Sequence, residues 1–123
     1  MVAAWIVVAV LVLLAALQLA LACGLPWGAF AWGGQHETLP TPLRIASACT
    51  IPVYAVMAVV VLDRAGEIDV LPEAAADVGA WVVFGFAALS VAVNAMSRST
   101  KERVTMTPLS VVLAVASLLV ATA

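Results

Sequence analysis

Charge is what this 123-residue sequence has least of: Asp, Glu, Lys and Arg together supply 10% of it, against about 25% in a soluble domain. Five basic residues scattered along the chain cannot form the basic stripe that tracks a nucleic-acid backbone, so no nucleic-acid partner is expected. Histidine occurs once, as His36, and cysteine twice, as Cys23 and Cys49, far apart in the chain. That excludes a CxxC redox pair and leaves no metal-ligand spacing, so no metal or cofactor is expected. No glycine-rich phosphate loop and no nucleophile with a recognisable base is present, so no catalytic residues are assigned and the reading leans away from an enzyme. Apart from Arg44 at the start of the second, the long apolar runs contain no charged residue. Ion-coupled transport and hydrolysis in a membrane usually keep ionisable groups at depth, and this absence argues against both.

What is present is apolar. Hydrophobic residues make up 66% of the chain, more than a soluble fold of this size can hide. Four runs are long enough, at about 20 residues, to cross a bilayer: 2–25, 43–62, 78–96 and 104–121. None alternates in polarity as a barrel strand would, and a helix satisfies its own backbone in lipid. The sequence therefore predicts an all-α integral membrane protein, a single domain over 1–123 folded as a bundle of four transmembrane helices in two hairpins. The segment Leu19–Cys23 echoes a lipoprotein cleavage site. No positive charge precedes the run, however, and its apolar stretch is too long for a signal peptide, so an intact first helix is expected.

The loop between the third and fourth runs holds Arg98, Lys101 and Arg103, and the first loop adds Arg44, while the segment 63–77 carries five acids against Arg64 alone. The positive-inside rule then places loops 26–42 and 97–103 in the cytoplasm and both termini outside. Trp5 and Trp81 would mark the outer interface and Trp27 the inner one. Small residues four apart, such as Ala16/Ala20, Ala46/Thr50, Ala88/Ala92 and Ser110/Ala114, fit close helix packing. Pro52 should bend the second helix, with Ser47 and Thr50 near enough to satisfy freed carbonyls. Thr41-Pro42-Leu43 and Thr107-Pro108-Leu109 each fall in the opening turn of an expected helix, an echo that suggests two hairpins in the same orientation.

The first loop, 26–42, is too long for a tight turn and too apolar for a solvated one. Its Trp27, Phe30 and Trp32 suit an interfacial or re-entrant element that caps the cytoplasmic mouth of the bundle. Here the chain resembles an uncharacterised family of small four-helix membrane proteins of Gram-positive and actinobacterial genomes. The resemblance rests on Pro26, Trp27, Gly28, Gly33, Gly34, Leu39, Pro40, Arg44, Ile45, Asn94, Ser97, Ser99, Glu102, Arg103 and Pro108. It implies a bacterial plasma-membrane location and the four-helix fold, and brings no activity or ligand. Small multidrug exporters are of similar size but need a glutamate in the first helix, where this chain has no acid. The glycine-rich signature of fluoride channels and the CxxC of vitamin-K-epoxide-reductase-like enzymes are also missing.

A polar site is expected at the cytoplasmic end of the bundle, formed by Trp27, Trp32, His36, Glu37, Arg44, Asn94, Ser97 and Glu102. Arg44 next to hydrocarbon needs a partner, with Glu37 or Glu102 as the acid and Asn94 adding a neutral hydrogen bond. Trp27 and Trp32 would form a lid. Gln18 reads as an interhelical hydrogen bond. The function expected is that of a binding or accessory module for a lipid or small amphipathic molecule at the cytoplasmic leaflet. The alternative is a small oligomeric channel or carrier for a weakly polar solute. Partners would be the lipid bilayer and a homodimer mate or another membrane protein. The charge pattern makes one direct prediction. A reporter that works only outside the cytoplasm should be active when fused after Ala123 and silent when inserted after Ser99; the opposite pair of results would reverse the topology.

Overall fold

Apolar runs that must satisfy their own backbone form helices, and they do so here throughout. The computed structural model describes residues 1–123 and contains no strand. Four helices follow one another: α1 (Val2–Ala22), α2 (Thr41–Arg64), α3 (Glu73–Ala95) and α4 (Thr100–Thr122), with two 3-10 turns, Gly28–Phe30 and Trp32–Gly34, between α1 and α2. Each helix is long and apolar enough to cross a membrane. At about 1.5 Å per residue they measure roughly 32–36 Å, enough for about 30 Å of hydrocarbon. The protein is an all-α four-helix membrane bundle.

The helix ends differ from expectation for identifiable reasons. α1 stops at Ala22, three residues early, because Gly24 takes φ +90. Leu25 N–H then bonds the Ala20 carbonyl at 3.0 Å and Gly24 N–H the Leu21 carbonyl at 3.1 Å, a Schellman ending. α2 ends the same way at Gly66. α3 begins five residues early, at Glu73 behind Pro72, and α4 four residues early, at Thr100 behind Ser99. Pro42 does lie in the first turn of α2, but the early start of α4 leaves Pro108 well inside that helix, so the expected echo of two opening turns does not hold. The Thr50 hydroxyl bonds the Ser47 carbonyl at 2.7 Å, one residue before the Ala48 carbonyl that Pro52 leaves without its helical donor.

α1 pairs with α2 and α3 with α4, and the hairpins meet through α1 against α4 and α2 against α3. The ring is unevenly filled. In the half carrying both termini, Val7, Leu11, Val61, Val83, Leu113 and Val120 form a tightly buried core. Small residues are buried there too, Ala80 and Ala87 on α3 and Ala116 on α4. Of the small-residue pairs expected from spacing, Ser110/Ala114 is buried, whereas Ala88 and Ala92 face outward. Val12, Leu13, Val56, Leu89 and Leu119 also point out of the bundle, as lipid-facing positions should.

The acidic loop lies at the terminal end. The Asp63 carboxylate accepts the Val70 and Leu71 N–H groups at 2.7 and 2.8 Å. Arg64 Nε stands 2.8 Å from Asp77 Oδ1, an ion pair by distance without a directed hydrogen bond. Glu67 pairs with the N-terminal amine, which holds its carboxyl below the usual range. Trp5 and Trp81 sit exposed toward this same end, the position of an interfacial aromatic belt.

α2 and α3 approach closely at Gly79, where an added Cβ would lie 2.7 Å from Val60 Cγ1. Val60 is stiff at χ1 and yields little. Gly79→Val should therefore cost about 1–3 kcal/mol by overpacking, read as a lower unfolding midpoint in detergent. Adding Val60→Ala should restore at least half of the loss. A neutral Gly79→Val would show that the two helices are not in contact there.

Candidate functional site

In the other half of the bundle the core gives way to a cavity of about 310 Å³. Its walls come from all four helices. Leu14, Leu17 and Gln18 enter from α1, Thr50 and Tyr54 from α2, and Phe86, Ser90, Val93 and Asn94 from α3. Glu102, Met106, Ser110 and Leu113 enter from α4, and Phe30 to Gly33 of the first loop close the end. Phe86 and Val93 are 39% and 58% exposed, so the rim of the cavity reaches the lipid-facing surface between α2 and α3. At its inner limit, Leu113 also belongs to the buried core, with Leu14 packed against it.

The cap is built from an unusual turn. Trp32, Gly33 and Gly34 have φ of 52, 74 and 68, three left-handed residues in succession, closed by Gly34 N–H to the Ala31 carbonyl at 2.9 Å. Glycine takes this conformation freely, but a tryptophan there costs about 1–2 kcal/mol. Trp32 is held by its indole N–H, which donates to Ser47 Oγ on α2 at 2.9 Å. The rest of the cap is fastened to α4. Ser99 Oγ donates to the Ala29 carbonyl at 2.5 Å, and Gly33 N–H donates to Glu102 Oε2 at 3.2 Å. Gly34 lies so close to Ser99 that a Cβ would come within 2.4 Å of the serine Cβ.

Glu102 is the chemically informative residue. Ser99 caps α4, its Oγ also accepting Glu102 N–H at 3.3 Å. In the S-x-x-E arrangement the glutamate normally reaches back to the cap residue's own N–H. Here Ser97 Oγ has taken that N–H at 3.1 Å, and the carboxylate turns into the cavity instead. Glu102 is 5% exposed, and both ion pairs of the chain lie at the opposite end. Arg103 bonds the Ser97 carbonyl at 2.9 Å, and the Lys101 ammonium sits 6.0 Å from the Phe30 ring centre. Burying a carboxylate without a cation is costly. The Gly33 N–H and the N-terminal end of α4 offset part of that cost.

Of the eight residues expected at the site, Trp32, Asn94 and Glu102 line the cavity, and Ser97 stands behind it, freeing Glu102. Trp27, His36 and Glu37 are exposed and do not line it. His36 and Glu37 contribute backbone: the Glu37 carbonyl accepts Gly28 N–H at 2.8 Å, and Gly28 has no room for a side chain against the His36 carbonyl. The expected ion pair of Arg44 with Glu37 or Glu102 does not form. Arg44 Nε donates to the Ala22 carbonyl at 3.0 Å, because α1 ends early and leaves open carbonyls beside it. Asn94 faces Ser110 Oγ at 3.3 Å and the Met106 carbonyl at 3.4 Å on α4 rather than Arg44.

Gln18, Thr50, Tyr54, Ser90 and Ser110 went unassigned to the site in the sequence. Gln18 makes no interhelical hydrogen bond through its oxygen: Oε1 is buried in the cavity wall without a partner. Polar residues in four separate apolar runs reveal a shared pocket only once the helices' rotations are known. For Glu102 the signal was the S-x-x-E at 99–102.

Compared with protein families, curated proteins and solved structures, the chain matches none.

Gly34→Ala should detach the cap, since it combines a left-handed residue with a collision against Ser99. The expected effect is a red shift and easier aqueous iodide quenching of Trp32 in a protein whose other three tryptophans are phenylalanine, with the helices intact by circular dichroism. Unchanged quenching would mean that the loop is not fastened to α4.

Proposed function

We propose that this protein binds a small amphipathic molecule, a lipid or a compound of similar build, in the cavity beneath the Trp32 turn. The observation that carries this reading is a membrane-embedded pocket that is polar at one end and apolar at its rim. Glu102, Asn94 and Gln18 offer polar atoms near the cap, and Phe86 and Val93 border the surrounding lipid. A head group would lie under the cap and a hydrocarbon tail would leave between α2 and α3. The volume of about 310 Å³ is at the lower end of the range of about 300–1,000 Å³ usual for small-molecule sites.

The loop charges support a cytoplasmic position for the cap, in a bacterial plasma membrane, which would make the inner leaflet the source of the ligand. The blind inner end, packed against the terminal-half core, favours a binding module over a channel through one copy of the chain. Trp32 serves as the lid, without Trp27.

Ser90 sits at the rim, with its hydroxyl donating only to the Phe86 carbonyl of its own helix at 2.9 Å. Ser90→Phe should fill the mouth without touching the buried core. The variant should keep its unfolding midpoint and lose an amphipathic molecule that accompanies the wild-type protein in native mass spectrometry. Retention of the same species by the variant, or a wild-type protein that carries none and takes up none, would contradict the proposal.

A further inference from the structure

The cavity is short of one kind of group. Most of its hydrogen-bond donors are spent inside the protein; the exceptions are the Gln18 amide N–H groups and the Tyr54 hydroxyl beside them. The Trp32 indole N–H goes to Ser47, the Asn94 amide to Ser110 and Met106, and the Thr50 hydroxyl to the Ser47 carbonyl. The Ser90 hydroxyl goes to the Phe86 carbonyl, and that of Ser110 to the Met106 and Thr107 carbonyls. Acceptors remain. Glu102 uses one carboxylate oxygen, on Gly33 N–H, and leaves the other without a hydrogen bond. Gln18 Oε1 is buried with no partner, and the Asn94 side-chain oxygen receives no hydrogen bond within the chain. Of the basic side chains nearest in sequence, Arg103 bonds the Ser97 carbonyl and Lys101 lies over the Phe30 ring, and neither pairs with Glu102. A buried negative charge, two free amide oxygens and aromatic rings from Trp32, Tyr54 and Phe86 thus surround one space.

We infer that the ligand of this pocket carries a primary ammonium head, held by Glu102, Gln18 and Asn94. The inference rests on the binding function proposed above and names the chemical class of its ligand. Three N–H donors on one cationic nitrogen meet three unspent acceptors and neutralise the only buried carboxylate. Hydrogen bonds to a charged donor in such a site are stronger than neutral ones, and the rings add attraction for a cation. A carboxylate or phosphate head would set like charge against Glu102, and an alcohol would leave that charge without a counter-ion. A trimethylammonium head keeps the charge but offers no N–H. The same ammonium occurs on a free alkylamine and on an ethanolamine lipid.

The test uses the full chain in phosphatidylcholine nanodiscs, observed through the Trp32 indole N–H resonance, with dodecylammonium as the probe. A saturable shift is expected. It should need at least about tenfold more amine in Glu102→Gln, the loss of one charge-assisted contact, and several-fold more in Gln18→Leu, which replaces a polar group by an apolar one in an apolar helix and guards against a Glu102 variant that fails to fold. Dodecyltrimethylammonium and dodecanol should bind at least about tenfold more weakly. If phosphatidylethanolamine added to the nanodisc competes with the amine, the ammonium is that of a lipid; if it does not, the ligand is a free amine, and either result supports the inference. Equal binding of dodecanol, or of the trimethyl compound, overturns the ammonium assignment while leaving the binding function standing, provided that Ser90→Phe abolishes it. No saturable shift with any probe overturns both.

Discussion

Helices in lipid gain little by hiding apolar surface from one another, since the surrounding tails are as apolar as their partners. Close packing and polar ties must decide how they sit, and every buried backbone group needs a partner within the protein. In this bundle that constraint falls on the segment between α1 and α2, where about a dozen and a half residues of non-helical chain cross the end of the bundle. The clasp between that segment and the first turn of α4 answers it. Ser99 takes the Ala29 carbonyl, Glu102 takes the Gly33 N–H, and Gly34 fits against Ser99. Two hairpins that touch mainly through α1 against α4 and α2 against α3 are thereby tied together at the end opposite the termini.

The pocket follows from the same tie. At the terminal end, small side chains and Gly79 let the helices approach until Val7, Leu113 and Val120 exclude everything else. At the other end the Trp32 turn roofs the space between the helices, and polar side chains from all four line it. The left-handed Trp32 costs about 1–2 kcal/mol. Its hydrogen bond to Ser47 returns about 0.5–1.5 kcal/mol, so the turn depends on the clasp and the indole bond together.

Much of this was legible before the structure. Long runs almost free of charge marked the four helices, and the glycines and aromatics of 26–42 marked a folded loop. Hydropathy misjudged the helix ends, because a polar turn such as Thr100–Arg103 reads as loop even when its glutamate is buried within a helix. Placing Glu102 in a loop in turn hid the one carboxylate buried in the bundle, and the argument against ion-coupled transport and hydrolysis had rested on the absence of such a group. The misassigned Arg44 has a similar origin: an α1 running to Leu25 leaves no free carbonyl at Ala22 for it to cap. Helices that are apolar on every side carry little information on rotation, so Gln18, Tyr54 and Ser110 could not be brought together from spacing. The pair S-x-x-E at 99–102 and the adjacent glycines at 33 and 34 were the readable traces of the clasp, in two loops that nothing in the sequence places side by side.

The clasp is tested most directly by amide hydrogen exchange at Gly33 in a lipid nanodisc. Its N–H has no secondary-structure partner and is protected only if the Glu102 carboxylate holds it. The account predicts exchange at Gly33 far slower than at the exposed Thr38 of the same loop, with the protection lost on Glu102→Ala. Exchange of Gly33 as fast as that of Thr38 in the wild-type protein would contradict it.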